Sequence, residues 1–293
     1  MAKNLYARVT ATILAELEKG VVPWRRDWRS IAGSGIPHNA VSMRPYRGTN
    51  TILLWLRAQQ QGWSSLGFLT YKQARDLGGT VKQGAKSGLI VFVKQLVVKD
   101  HDNENVTKLV PMLRAYSVFH TSQCDGLSEA ILNPAAKSPR NPDARDPLID
   151  AFTAATQADV REGQGEPVYH PGGDYISMPC FTDFTSADGF YSTLFHELTH
   201  WTAHKSRLDR NLKSRFGDLH AYSAEELCAE LGASFLCAEF GLDNGKLQHA
   251  AYLQGWITLL KHDARAFFTA ANRAQEASDY LRRLALADQP VAA

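Results

Sequence analysis

Residues 189–201 read GFYSTLFHELTHW, with His-Glu-x-x-His at His196, Glu197 and His200. On a helix, a four-residue spacing puts both imidazoles on one face, about 6 Å apart along the axis. Two neutral imidazoles so placed can share one zinc ion, and Glu197 is then positioned to take a proton from a water held there. Leu194, Leu198 and Trp201 fall at helical spacings, and no Pro or Gly lies between 190 and 208, so the stretch predicts a helix.

Such an ion needs a third protein ligand. His204 continues the four-residue spacing, but His196 and His204 are separated by about 12 Å of helix and cannot share one ion. The run Tyr222 to Leu231 offers Glu225, Glu226 and Glu230 on a second predicted helix. Glu226 and Glu230 share a face. This layout suits Glu226 as the third ligand, with Glu230 accepting the far N–H of a metal-bound imidazole. Ser223-x-x-Glu226 also reads as a capping box, which would explain Glu226 without a metal. Glu225 and Glu230 stay open as ligands, and His249 and His262 are fallbacks. Tyr222 is a candidate donor to developing charge.

The chain has 293 residues, enough for two ordinary domains, with 44% apolar and 21% charged residues. No apolar run reaches the roughly 18–20 residues of a membrane span. The N-terminus lacks a secretory pattern, and Cys124, Cys180, Cys228 and Cys237 form no C-x-x-C pair. Together these predict reduced thiols in a cytoplasmic protein without a membrane partner. Residues 1–127 hold 17 Lys and Arg against 8 Asp and Glu, a net +9, whereas 128–293 hold 15 against 22, a net −7. A basic first half joined to an acidic second half predicts two modules, the first with an anionic partner.

In the first module, Leu5, Val9, Ile13 and Leu17 predict an amphipathic helix over 3–19, ended by Gly20. Trp24, Arg25, Arg26 and Trp28 then share one segment that suits either base stacking with phosphate neutralisation or a loop capping the core. Arg44, Tyr46, Arg47 and Asn50 precede a helix carrying Ile52, Leu53, Trp55 and Leu56. Tyr71 and Lys72 open a short helix capped by Thr70, and Lys82 and Lys86 precede a strand at 89–93. A second strand spans 108–119, with a hairpin loop at 99–105. Aromatic and basic residues interleaved in this way are what a single-strand-binding surface needs, and no G-x-x-x-x-G-K-[ST] loop supports nucleotide hydrolysis.

Four prolines between 128 and 147 mark a linker. Beyond it the sequence predicts a helix over 150–160, strands around 168 and 175–179, and helices over 247–261 and 263–286. The expected fold is α+β. A small α+β domain occupies 1–127, and a mainly helical domain with a small sheet occupies 148–293.

The chain resembles the ArdC antirestriction family of conjugative plasmids. In the first module the resemblance rests on Pro23-Trp24…Trp28, Tyr46-Arg47-Gly48-Thr49-Asn50, Thr70-Tyr71-Lys72-Gln73-Ala74 and Tyr116-Ser117-Val118-Phe119. In the second it rests on Asp174 to Pro179, Tyr191 to Thr202, Arg207 to Arg210 and Tyr222 to Leu231. The resemblance implies a single-stranded-DNA-binding domain joined to a zincin-like metallopeptidase domain. Several zincin families follow H-E-x-x-H with E-x-x-A/S-D, whose glutamate is a ligand; here the match is Glu226 to Glu230, with Glu in place of Asp. The implied cofactor is Zn2+, with another divalent ion such as Mn2+ also suitable. The implied role is protection of incoming single-stranded DNA from host restriction during conjugation, with a host restriction-system protein as a candidate substrate. The alternative is a DNA-coating protein whose zincin domain is dormant.

Overall fold

The computed structural model describes residues 2–33, 35–99, 107–132, 141, 143–244 and 250–287. Helix α1 (Ala2–Leu17) buries the predicted stripe of Val9, Ile13 and Leu17. After a loop come β1 (His38–Asn39), α2 (Thr49–Gln61), β2 (Gly67–Leu69) and α3 (Tyr71–Asp76). Thr70 caps α3 in a capping box with Gln73, as its sequence predicts. Next follow β3 (Thr80–Val81), β4 (Gly88–Lys99), β5 (Thr107–His120), β6 (Cys124–Asp125) and α4 (Glu129–Leu132). One sheet has the order β1-β2-β5-β4, and β3 pairs with β6. β4 and β5 form one long antiparallel pair, from Gly88↔Val118 to Lys99↔Thr107. Most of the predicted hairpin loop, and 133–140 and 142 of the predicted linker, lie outside the described residues.

The second half opens with α5 (Pro147–Ala155). Asp146 caps it, accepting from the Leu148 and Ile149 amides, and Pro147 occupies the first turn. A proline there loses no helical hydrogen bond, so it starts this helix instead of ending the linker. The helix predicted to reach 160 stops at Ala155, because the chain reverses at Gln157 (φ +58°) and Val160 enters a strand. Strands β7 (Asp159–Glu162), β8 (Val168–His170) and β9 (Tyr175–Met178) form a sheet of order β7-β9-β8, with β8 antiparallel to β9 at the edge. Four helices follow: α6 (Ala187–Trp201), α7 (Lys213–Phe240), α8 (Ala250–His262) and α9 (Ala266–Ala287). Ser186 caps α6 by accepting from the Gly189 amide. α7 changes direction at Gly217, whose φ of +67° is non-helical.

The apolar core does not divide at the connector. Trp24 packs against Trp256 and Phe267, with ring centroids 5.7 and 6.2 Å apart. Trp28 lies 4.4 Å from Trp55, and Trp55 lies 5.7 Å from Phe235. The Trp28 indole N–H donates to Asn244 at 3.1 Å. One buried cluster thus runs from Val9 on α1 to Leu281 on α9. Among the described residues no helix is long and apolar enough to cross a membrane. The four cysteines are free, and all but Cys180 are buried.

Candidate metal centre

α6 and α7 cross closely because Gly232 has no side chain: a Cβ there would meet Thr199 at 2.6 Å. That approach sets the two histidines of α6 against Glu226 of α7. The Nε2 atoms of His196 and His200 are 3.1 Å apart. Glu226 lies 3.4 Å from His196 Nε2 through Oε2 and 3.6 Å from His200 Nε2 through Oε1. A tetrahedral ion with bonds of about 2.1 Å holds its ligand atoms about 3.4 Å from one another. The three side chains therefore fit one such ion, and among the described residues they form the one such cluster of His, Cys, Asp and Glu. Ser223 lies inside α7, not at its start, so the capping-box explanation of Glu226 fails.

The surrounding carboxylates act in different ways. Glu225 accepts from His200 Nδ1 at 3.1 Å, fixing the Nε2 face of that ring toward Glu226. Arg210, almost wholly buried, holds Glu225 through Nε at 2.9 Å and also donates to Thr202 Oγ1 and the Thr199 carbonyl. Burial works against a charged Glu225, yet Arg210 and His200 hold its pKa at about 2. Burial likewise opposes a charged His200, but Glu225 and Glu226 overcome it and raise its pKa to about 10. Glu226 is held below the ordinary carboxylate range by the two imidazoles, against its own desolvation.

Glu230 lies beside His196, as expected, but at a longer distance than Glu225 keeps from His200. One of its oxygens accepts from Arg25 Nε at 2.7 Å, and the other lies 3.9 Å from His196 Nδ1, too far for a hydrogen bond. The carboxylate that hydrogen-bonds an imidazole is Glu225, at His200, and the sequence offered it only as an alternative ligand. Its signal was Arg210, the last residue of the Arg207-Leu208-Asp209-Arg210 run.

Glu197 is 7% exposed, and its Oε2 accepts from the Tyr169 amide of β8 at 2.7 Å. A chain of contacts fixes that edge strand. The Tyr169 hydroxyl donates to Asp174 at 2.9 Å, and Arg207 binds the other Asp174 oxygen at 2.9 Å. Arg207 also donates to the Trp201 carbonyl at the end of α6 and lies 3.9 Å over the Trp201 ring. Arg207 and Tyr169 hold the Asp174 carboxyl down at about 2, despite some desolvation. Tyr222 is 61% exposed, and its hydroxyl lies 3.3 Å from that of Tyr252. Desolvation, then Tyr252 and Glu226, raise its pKa, so it remains a donor. His204 lies in the turn after α6 and bonds Ser206, His262 stacks near His220, and His249 lies outside the described residues.

Residues 3–119 match the family described as the N-terminal domain of anti-restriction factor ArdC, and residues 147–273 match the zincin-like metallopeptidase family. A metal-free crystal structure of the antirestriction ArdC protein from the R388 plasmid is 42% identical and superimposes with a TM-score of 0.85, covering 98% of this chain and 99% of that one. This chain belongs to the ArdC antirestriction family. The Mn(II)-bound structure of the same plasmid protein is 42% identical at a TM-score of 0.81, covering 97% and 99% of the two chains. The uncharacterized protein y4eC of Sinorhizobium fredii is 34% identical over 95% of this chain and 91% of its own length. The DNA primase TraC of Escherichia coli is 32% identical over 95% of this chain, which spans only 27% of that protein.

The residues expected to touch DNA are scattered, and several are unavailable. Trp24 and Trp28 have no exposed surface, so neither can stack on a base; their rings fill the core shared with α7, α8 and α9. Arg25 is taken by Glu230, and the half-buried Arg26 donates to the Trp63 carbonyl at 3.0 Å. The Tyr46-to-Asn50 motif docks onto α9. There the Gly48 amide donates to Gln275 at 3.0 Å, and Arg47 pairs with Asp279. A Cβ on Gly48 (φ +53°) would lie 3.1 Å from Asn272 Oδ1. Tyr46 is buried, and Asn50 binds both backbone polar groups of Val91, at 2.7 and 2.8 Å. On the surface, Lys72 pairs with Asp76, Lys82 reaches the Ser122 carbonyl and Asp125, and Arg44, Tyr71 and Lys86 are exposed.

Proposed function

We propose that this chain is a plasmid antirestriction protein that binds single-stranded DNA through its basic first module and carries a hydrolytic zinc centre in its second. The observation that carries the hydrolytic part is the convergence of His196, His200 and Glu226 beside a fixed Glu197. Those three residues would hold the ion. A zinc ion there supplies Lewis acidity toward a carbonyl oxygen and toward water. Glu197 is the general base and then the acid for the leaving amine. The Tyr169 amide aims its carboxylate and keeps one oxygen occupied, leaving the other for proton transfer. Tyr222 offers a phenolic O–H beside Glu226 to charge developing on the substrate. The plasmid relative's bound Mn(II) supports a site open to more than one divalent ion. The match to the N-terminal antirestriction domain, and the shared region in a DNA primase, support strand binding and protection of incoming DNA.

The test is metal content of the purified full chain beside His196→Ala, Glu226→Ala and Glu197→Gln. We expect about one zinc per wild-type chain, none in the first two variants, and a retained ion without hydrolysis of a peptide library in Glu197→Gln. Metal retained in Glu226→Ala would remove Glu226 from the ligand set. Hydrolysis surviving in Glu197→Gln would remove Glu197 as the base. Antirestriction surviving in Glu197→Gln would assign protection to DNA coating alone.

A further inference from the structure

We propose that single-stranded DNA lies on the outward face of the β4–β5 pair, with Phe92 and Tyr116 as stacking rings and Lys94 and Arg114 as phosphate contacts. This inference rests on the strand-binding reading above and gives it a place.

The strand register puts these four side chains on one face. Phe92 lies opposite Arg114, Lys94 opposite Met112, and Ile90 opposite Tyr116. Residues directly opposite one another, and those two apart along a strand, share a face of the sheet. The Phe92 and Tyr116 rings meet edge to face at 5.7 Å, as diagonal neighbours do. They are 49% and 44% exposed. Toward the base of the hairpin both faces are packed, with Ile90 buried on the ring face and Val91 and Leu113 on the other, and Asn50 of α2 holds the backbone edge of Val91; beyond it Phe92, Val93 and Lys94 are exposed. An exposed aromatic pair just beyond the packed base of the hairpin is an unused apolar surface.

The charges around it point to a polyanion. Lys94 and Arg114 are exposed and form no ion pair with a carboxylate of the described residues. Other cations of this module are neutralised: Arg25 by Glu230, Arg47 by Asp279, Lys72 by Asp76 and Lys82 by Asp125. Among the described residues, Lys94 and Arg114 thus place uncompensated positive charge beside the exposed rings. Rings take any unstacked base and cations track the backbone, which together select a single strand over a duplex.

The experiment is fluorescence anisotropy of a labelled oligothymidine of about 20 nucleotides with the full chain. Removing both rings in Phe92→Ala/Tyr116→Ala should weaken binding at least about tenfold, and Tyr116→Phe should restore it. Arg114→Glu and Lys94→Glu should each weaken binding and lower the salt dependence by about one unit of slope. These charge variants disturb no buried contact, so they carry the test even if the ring deletions unfold the hairpin. Wild-type binding matched within twofold by the folded ring and charge variants would overturn the platform while leaving strand binding intact. No binding by the wild type at low salt would overturn the strand-binding reading and the platform with it.

Discussion

Two segments of this chain combine aromatic rings with polar functional groups, and the fold uses them in opposite ways. Residues 190–201 carry two of the three residues of the candidate metal centre, and both imidazoles face Glu226 on the neighbouring helix. Residues 23–29, Pro23 to Arg29, are rich in tryptophan and arginine, yet they turn both rings inward and place Arg25 against Glu230. The difference lies in what each pattern constrains. Four-residue spacing on a helix fixes the relative positions of two side chains whatever the rest of the molecule does. Composition in a loop fixes nothing about direction, which is decided by partners more than 200 residues away in sequence, among them Trp256 and Phe267 for Trp24.

The comparison breaks most decisively at Trp28. If its ring belongs to the core, Trp28→Ala should cost about 3–5 kcal/mol of stability. Affinity of the remaining folded protein for oligothymidine should be unchanged. Denaturant unfolding and anisotropy on the same samples read both quantities. A variant that loses strand binding at wild-type stability would return this segment to the DNA surface.

Much of the fold was legible for the same reason that the two histidines were. The 3–19 stripe, the Thr70 cap, the 89–93 and 108–119 strands and the last two helices are local patterns. The approach of Glu226 to the two histidines was also legible, because it needs only a second helix with a carboxylate on the facing side. The division of labour between Glu225 and Glu230 was not. It depends on the rotation of α7 against α6, which the Gly232–Thr199 approach sets, and on Arg25 arriving from the other end of the chain to occupy Glu230. The cations of the β4–β5 face that are unpaired among the described residues were visible in the sequence, but which lysines and arginines would be neutralised depended on tertiary partners.

A pH measurement separates the two halves again. His120, on the first sheet, is 2% exposed and stacks 4.2 Å from Trp63, near the Ser65 carbonyl. Burial lowers its pKa from the ordinary 6.5 to about 4. The unfolded chain then binds this proton more readily than the folded chain. The stability contributed by neutral His120 is complete above about 6.5 and is lost as pH falls toward 4. Going from pH 7 to 4.5 should cost about 2 kcal/mol through this residue. The acid slope over that interval should flatten in His120→Gln, whereas the Asp174 and Glu225 carboxylates act only at lower pH. An unchanged slope in His120→Gln would mean that the first sheet does not set the acid limit of the fold.

The smallest effect discriminates most finely, because it falls where the two segments meet. Glu225→Gln keeps the shape of the side chain and its carbonyl acceptor toward His200 Nδ1, but removes the charge that raises the basicity of that ring. Zinc affinity, read by competition with a chromophoric chelator, should fall about tenfold, and stability should fall as well because the buried Arg210 loses its counter-charge. Glu230→Gln should cost stability alone. Its carboxylate is too far from His196 to polarise it through a hydrogen bond, so affinity should change little. Stability should fall, because Arg25 is left mostly buried without its counter-charge. If instead Glu230→Gln weakens the metal and Glu225→Gln does not, the arginine from residues 23–29 is tuning the metal centre through Glu230. The two segments would then form one functional unit.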